Sequence, residues 1–133
     1  MTQVANELRV AQACEDGKRF AELFYEKLDK NRSVINGLFM DEAKLVWNGH
    51  LVEGKQRIVD FYTGLPVSDT ALNSVDAQAV LDLPALAGQP TINVICGGRM
   101  RLGTKSKFYT ECFTLTALNN TWKIVSDTFR DYI

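Results

Sequence analysis

Five side chains in this sequence could take part in acid–base chemistry: Tyr25, His50, Asp60, Asp76 and Asp127. His50 is the sole histidine and follows Asn48-Gly49 directly. A histidine beside a tight turn is ordinarily solvated, and a general base needs burial and a partner. The tyrosine and the three aspartates could exchange protons if an α+β fold gathered them in a pocket beneath a helix. Asp76 lies within Asn73-Ser74-Val75-Asp76-Ala77-Gln78, a strand-like stretch. A carboxylate at a strand centre must be solvated or paired, because burying it alone is very costly. Its sharper use is an ion pair across an interface. Arg130, on the last strand, poses the same question with the opposite sign. Cys14, Cys96 and Cys112 are odd in number and none has CxxC spacing, which with one histidine supplies no metal site. GxSxG, P-loop and GxGxxG patterns are absent. The residues therefore predict no catalytic residue, no metal, no cofactor and no small-molecule ligand.

The elements that would position these groups change character along the chain. In the first half, Leu8, Ala11, Cys14, Ala21, Phe24 and Leu28 recur at threes, fours and sevens, a helical stripe ending near Asp29-Lys30-Asn31. Gly17 interrupts it at a cost of up to about 1 kcal/mol unless close packing requires it. A short turn over Ser33 to Asn36 follows. Leu38 to Met40 and Lys44 to Trp47 read as strand, and Asn48-Gly49 is a two-residue hairpin signal. Ile58, Val59, Phe61 and Tyr62 predict a second helix, stopped by Leu65-Pro66. Thr70 to Leu81, Thr91 to Leu102, Lys107 to Leu118 and Thr121 to Ile133 are rich in Val, Ile, Thr and aromatics. Short turns between them, including the stretch from Leu83-Pro84 to Gln89-Pro90, imply an antiparallel meander. Gly97-Gly98 within a strand predicts a bulge or a sharp bend.

The whole chain sets the bounds. Its 133 residues make one α+β domain, 1–133, long enough to bury a core without staples. Charged residues are 23%, and 15 Lys and Arg against 16 Asp and Glu give a net charge of −1. A free-standing nucleic-acid binder would be clearly basic. The opening stretch MTQVANELRV has no apolar signal-peptide core, and no apolar run reaches membrane-spanning length. The expectation is an intracellular chain with no membrane partner. Arg99, Arg101, Lys105 and Lys107 bracket Gly103, as a solvated hairpin end would, with an acidic partner or an RNA backbone as the alternative.

The late strands are apolar or semi-polar on both sides. Phe108, Cys112, Thr114 and Thr116 alternate with Tyr109, Phe113, Leu115 and Ala117; Trp122, Ile124, Thr128 and Tyr132 oppose Val125, Phe129 and Ile133. An antiparallel sheet with one wet face alternates more cleanly. Two or three helices cover only one face, and a large apolar patch is rarely left bare on a monomer. The second face is therefore expected to dock on another protein, unless the sheet curls tightly enough to cover itself.

Phe24-Tyr25, the run Leu38 to Gly49, Gly54, Leu65-Pro66, Val75-Asp76-Ala77-Gln78, Val94-Ile95-Cys96-Gly97, Phe113-Thr114-Leu115-Thr116 and Trp122 to Arg130 occur together in a familiar order. From about residue 10 to 130 the chain resembles the nuclear transport factor two-related export family, small subunits of messenger-RNA export receptors. The resemblance implies a cone-like fold, with N-terminal helices packed on a strongly bent antiparallel sheet. It implies a non-catalytic adaptor that shuttles between nucleus and cytoplasm. The other sheet face would pair with a large nuclear export factor, the heterodimer would meet FG nucleoporins, and RNA would be held only indirectly. By this resemblance Asp76 falls on an aspartate that pairs with an arginine of the large subunit, and Arg130 on an arginine facing the same partner. Gln78, Thr114 and Thr128 complete the expected partner-binding set. Relatives that carry the GTPase Ran in its GDP form have a glutamate where Asn48 stands and acidic residues where this chain reads Gly103-Thr104-Lys105-Ser106-Lys107. A Ran-GDP carrier, a homodimeric scaffold and an isomerase or dehydratase of the same fold are the alternatives.

Overall fold

The computed structural model describes residues 2–81 and 89–132. Most of the stretch from Leu83-Pro84 to Gln89-Pro90 lies outside them. Helix α1 runs Gln3–Lys30, capped by the Thr2 hydroxyl, which accepts from the Ala5 amide at 3.1 Å. A 3-10 helix, Arg32–Leu38, leads into strand β1, Phe39–Trp47. Asn48 and Gly49 both take left-handed φ values, 50° and 82°, and turn the chain into β2, His50–Glu53. Helix α2 is Lys55–Thr63. Strands β3 (Ser68–Val80), β4 (Thr91–Leu102), β5 (Lys105–Leu118) and β6 (Thr121–Tyr132) follow.

The six strands form one curled sheet in the order β2-β1-β6-β5-β4-β3. Strands β3 to β6 form the expected meander. One pairing departs from the antiparallel expectation: β1 lies parallel to β6, with Leu45 opposite Asp127 and Trp47 opposite Phe129. Turn residues report only on strands adjacent in sequence, and this pair joins strands from distant parts of the chain. The expected bulge also sits differently. The extra residue is Asn73 on β3, between Leu72 and Ser74, while Gly98 and Gly97 face it from β4. A Cβ on Gly98 would run into the Ala71 carbonyl oxygen, so the glycine makes room for the bend.

The helices fill the concave side. Phe24, fully buried, meets Phe113 at 4.8 Å between ring centroids, and meets Tyr25, Phe39 and Tyr62 edge-on. Arg32 fastens the ends of both helices to the start of β3, donating to the carbonyls of Leu28, Tyr62, Leu65 and Pro66 and to the Ser68 hydroxyl. The buried stripe of α1 begins later than its periodicity predicts. Ala13, Gly17, Phe20, Ala21, Phe24, Tyr25 and Leu28 are buried, whereas Leu8 and Ala11 are exposed. The helix first meets the sheet near Ala13, beside Ala79 and Val80, so its opening turns extend past the described end of β3.

Gly17 is the point of closest approach. A Cβ there would collide with the Ala77 side chain and come within 3.1 Å of Val94 Cγ2. Gly17→Ala should raise intrinsic helix propensity by about 1 kcal/mol. It should nevertheless destabilise the domain by about 1–3 kcal/mol through overpacking. A urea denaturation midpoint unchanged or raised in this variant would contradict the contact.

Candidate functional site

Strand pairing fixes which residues share the face turned away from the helices. Asp76 pairs with Ile95, Ile95 with Cys112, and Cys112 with Thr128, forming one row across four strands. Gln78, Asn93, Thr114 and Ser126 form the next row on one side. Ser74, Gly97, Thr110 and Arg130 form the row on the other. The fold thus brings Asp76, Gln78, Thr114, Thr128 and Arg130 together on one outer surface. Thr114 is half-buried and donates to Asn93 Oδ1 at 3.2 Å; the other four are exposed.

This face is unusually apolar for a solvated sheet. Ile95 is 50% exposed and Tyr132 49%, with Phe108, Val125 and Cys112 also exposed. Arg99 lies over the Phe108 ring at 4.4 Å from its centroid, and Phe108 stacks on Tyr132. Two charges stand out. Among the described residues neither Asp76 nor Arg130 makes an ion pair or a side-chain hydrogen bond. They are too far apart to satisfy each other, about 14 Å across three strand spacings. Bare opposite charges on an apolar, threonine-lined face are what an interface uses to fix register and partner.

The turn cations have local work. Arg101 pairs with Asp69 at 3.2 Å, Arg99 donates to the Ser106 hydroxyl, and Lys107 approaches Asp131 at 3.9 Å. His50 is exposed at the hairpin, and Asp60 is exposed, accepting from Gln56. Asn48 has a structural role: its amide donates to the Phe129 carbonyl and its side-chain oxygen accepts from the Asp131 amide, tying the hairpin to β6.

Beneath the helices lies a second constellation, and it includes a residue the sequence reading missed. Tyr25 Oη donates to Glu111 Oε1 at 2.8 Å; Tyr62 Oη lies 3.1 Å from Glu111 Oε2 and 2.5 Å from Asp127 Oδ2. Glu111 is 2% exposed and Asp127 0%. Burial, then the neighbouring Asp127 charge, pushes the Glu111 carboxyl well above the usual carboxylate range. Burial pushes Asp127 up to about 6. Burial and the same two carboxyls also hold Tyr62 in its neutral form. Glu111 had a legible signal: it falls between Tyr109 and Phe113 at the two-residue spacing of the inner face. Asp127 did not. The alternation of β6 places Ile124 with Thr128 and opposes Val125 to both, but Val125 is an extra residue between the pairs Thr114–Ser126 and Leu115–Ile124. The bulge reverses the parity, so Ile124, Asp127 and Phe129 all turn inward and Val125 is exposed.

Residues 16–130 match the family described as the nuclear transport factor 2 (NTF2) domain. The chain belongs to this family. It is 39% identical over 126 residues to NTF2-related export protein 2 of Homo sapiens, covering 91% of this chain and 88% of that protein. It is 37% identical over 134 residues to NTF2-related export protein 1 of Bos taurus, covering 98% and 96%. Among solved structures, nuclear transport factor 2 from Cryptosporidium parvum superposes with a TM-score of 0.75 at 21% identity, covering 93% of this chain and 95% of that one. The helices on a curled sheet described above are therefore the NTF2 architecture, and these curated relatives carry the names of export proteins rather than enzymes.

Proposed function

We propose that this NTF2-domain chain is a non-catalytic adaptor of nuclear export. It pairs through its outer sheet face with the similarly folded domain of a large nuclear export factor. The observation that carries this reading is the pairing of an exposed apolar face with two unsatisfied, opposite charges, Asp76 and Arg130. The names of the related export proteins supply the cellular process. In this reading the heterodimer, rather than the chain alone, contacts FG nucleoporins as it shuttles between nucleus and cytoplasm, and messenger RNA is cargo of the complex. Catalysis is not favoured: Glu111 and Asp127 are sealed beneath α1 and α2, where three of their four oxygens meet the Tyr25 and Tyr62 hydroxyls.

The test is to mix the purified chain with the NTF2-like domain of a large export factor and measure mass in solution. A one-to-one complex is expected, burying on the order of 800 Å² per partner. Two species that elute separately, or a stable homodimer that refuses the partner, would overturn the assignment. Ran-GDP should not bind in a parallel pull-down. A desolvated ion pair that loses one partner costs several kcal/mol. The hairpin turn here presents Lys105 and Lys107, and Asn48 is committed to β6.

A further inference from the structure

We propose that Glu111 and Asp127 hold one proton between them in the native state, and that this shared proton is a pH-sensitive latch joining both helices to the concave side of the sheet. The argument is a count of hydrogens. Three hydroxyl–carboxyl contacts are made: Tyr25 to Glu111, Tyr62 to Glu111 and Tyr62 to Asp127. Two tyrosine hydroxyls own two hydrogens. The third contact needs a hydrogen from a carboxyl. Asp127 Oδ1 is buried and meets no N–H or O–H donor, and the two carboxyls share the Tyr62 hydroxyl, at 3.1 Å from Glu111 and 2.5 Å from Asp127. The one carboxyl hydrogen serves either the third hydroxyl contact or the second carboxyl, not both, so it belongs to the pair. The 2.5 Å separation of Tyr62 Oη from Asp127 Oδ2 fits a short hydroxyl–carboxyl bond, as a pair sharing one proton would make.

Among the described residues the groups that face the pair supply no cation, and the Tyr109 hydroxyl makes no hydrogen bond to either carboxyl. The facing groups are Tyr25 from α1, Tyr62 from α2, Cys96 from β4 and Tyr109 from β5, with Cys112 acting through the strand from the outer side. All are neutral acids, and none is a cation. With no positive charge at hand, two carboxylates cannot both ionise there, and the proton belongs to the pair rather than to either residue. Its loss would put two like charges under α1 and α2, on the inner side of the strands that carry Thr110, Cys112, Thr128 and Arg130 outside.

The sign follows from linkage. Both folded-state values are raised, so the native protein keeps a proton that the unfolded chain releases at about pH 4. Stability from this source is complete below that point and falls as pH rises, until the native pair also lets the proton go. In the full-length chain at about pH 7, where solvated carboxyls are ionised, infrared spectroscopy should show the carbonyl band of a protonated carboxylic acid. Glu111→Gln and Asp127→Asn should each remove it. Between about pH 5 and pH 7 the wild-type unfolding constant should rise about tenfold per pH unit more steeply than that of either variant. The amide of Glu111→Gln supplies its own N–H donors, so this variant should fold. If it does not, the wild-type spectrum still decides the matter. A wild-type spectrum without the band, or an unfolding constant with the same pH dependence in all three proteins, would overturn the latch.

Discussion

Asp76→Arg should abolish pairing with the large export factor while leaving the isolated domain's circular dichroism unchanged. Asp76 is exposed in the isolated domain and, among the described residues, has no hydrogen-bond or ion-pair partner to lose. The folded chain therefore has little stake in the charge. Against a partner cation the reversal replaces attraction with repulsion in a desolvated setting. Losses of this kind run to about 2–5 kcal/mol or more, a fall in affinity of at least about thirtyfold. Titration calorimetry reads the loss directly. Full affinity in the variant would mean that the outer face docks in another register, or that another surface does the docking.

The second large effect lies in the core. Phe24→Ala should cost about 3–5 kcal/mol, the usual toll for deleting a buried phenylalanine. Phe24 is the hub where α1, β1, α2 and β5 meet, through Tyr25, Phe39, Tyr62 and Phe113. Domains of this size are stable by only about 5–15 kcal/mol, so the variant should sit close to the unfolding threshold. Its urea midpoint should drop by about 2 M. A drop below about 0.5 M would mean that the ring cluster collapses to fill the gap.

Much of the fold was legible because its signals are local. Asn48-Gly49 marked the hairpin, and both residues carry the positive φ that such a turn needs. The bounds of β4 fall where its composition places them, Gly17 was recognised as a site of close packing, and Gly97-Gly98 as a bulge or bend. The two-residue period held across β4 and β5, while the Asn73 bulge shifts it within β3, and it was the family resemblance that put Asp76 and Arg130 on a partner-facing side. The buried acids were read only in part. Tyr25 and Asp127 were among four candidates for a pocket beneath the helix, and Glu111 passed unnoticed between Tyr109 and Phe113.

What the sequence by itself determined is the set of elements, the turns that join neighbours, and the presence of late strands that are apolar or semi-polar on both sides. Propensity, capping and turn geometry act over a few residues and need no tertiary partner. Only the tertiary structure decided which of the two faces the helices cover, that β1 runs parallel beside β6, and that Asp127 points inward. Each of these depends on distant segments or on a register. One inserted residue, Val125, exchanges the two sides of β6 from that point on. The β1–β6 ladder joins segments about 80 residues apart in the chain, which no local signal reports. The assembled fold encloses Glu111 and Asp127 in a space where two tyrosine hydroxyls make three hydroxyl–carboxyl contacts, while Asp76 and Arg130 stay outside and, among the described residues, make no ion pair.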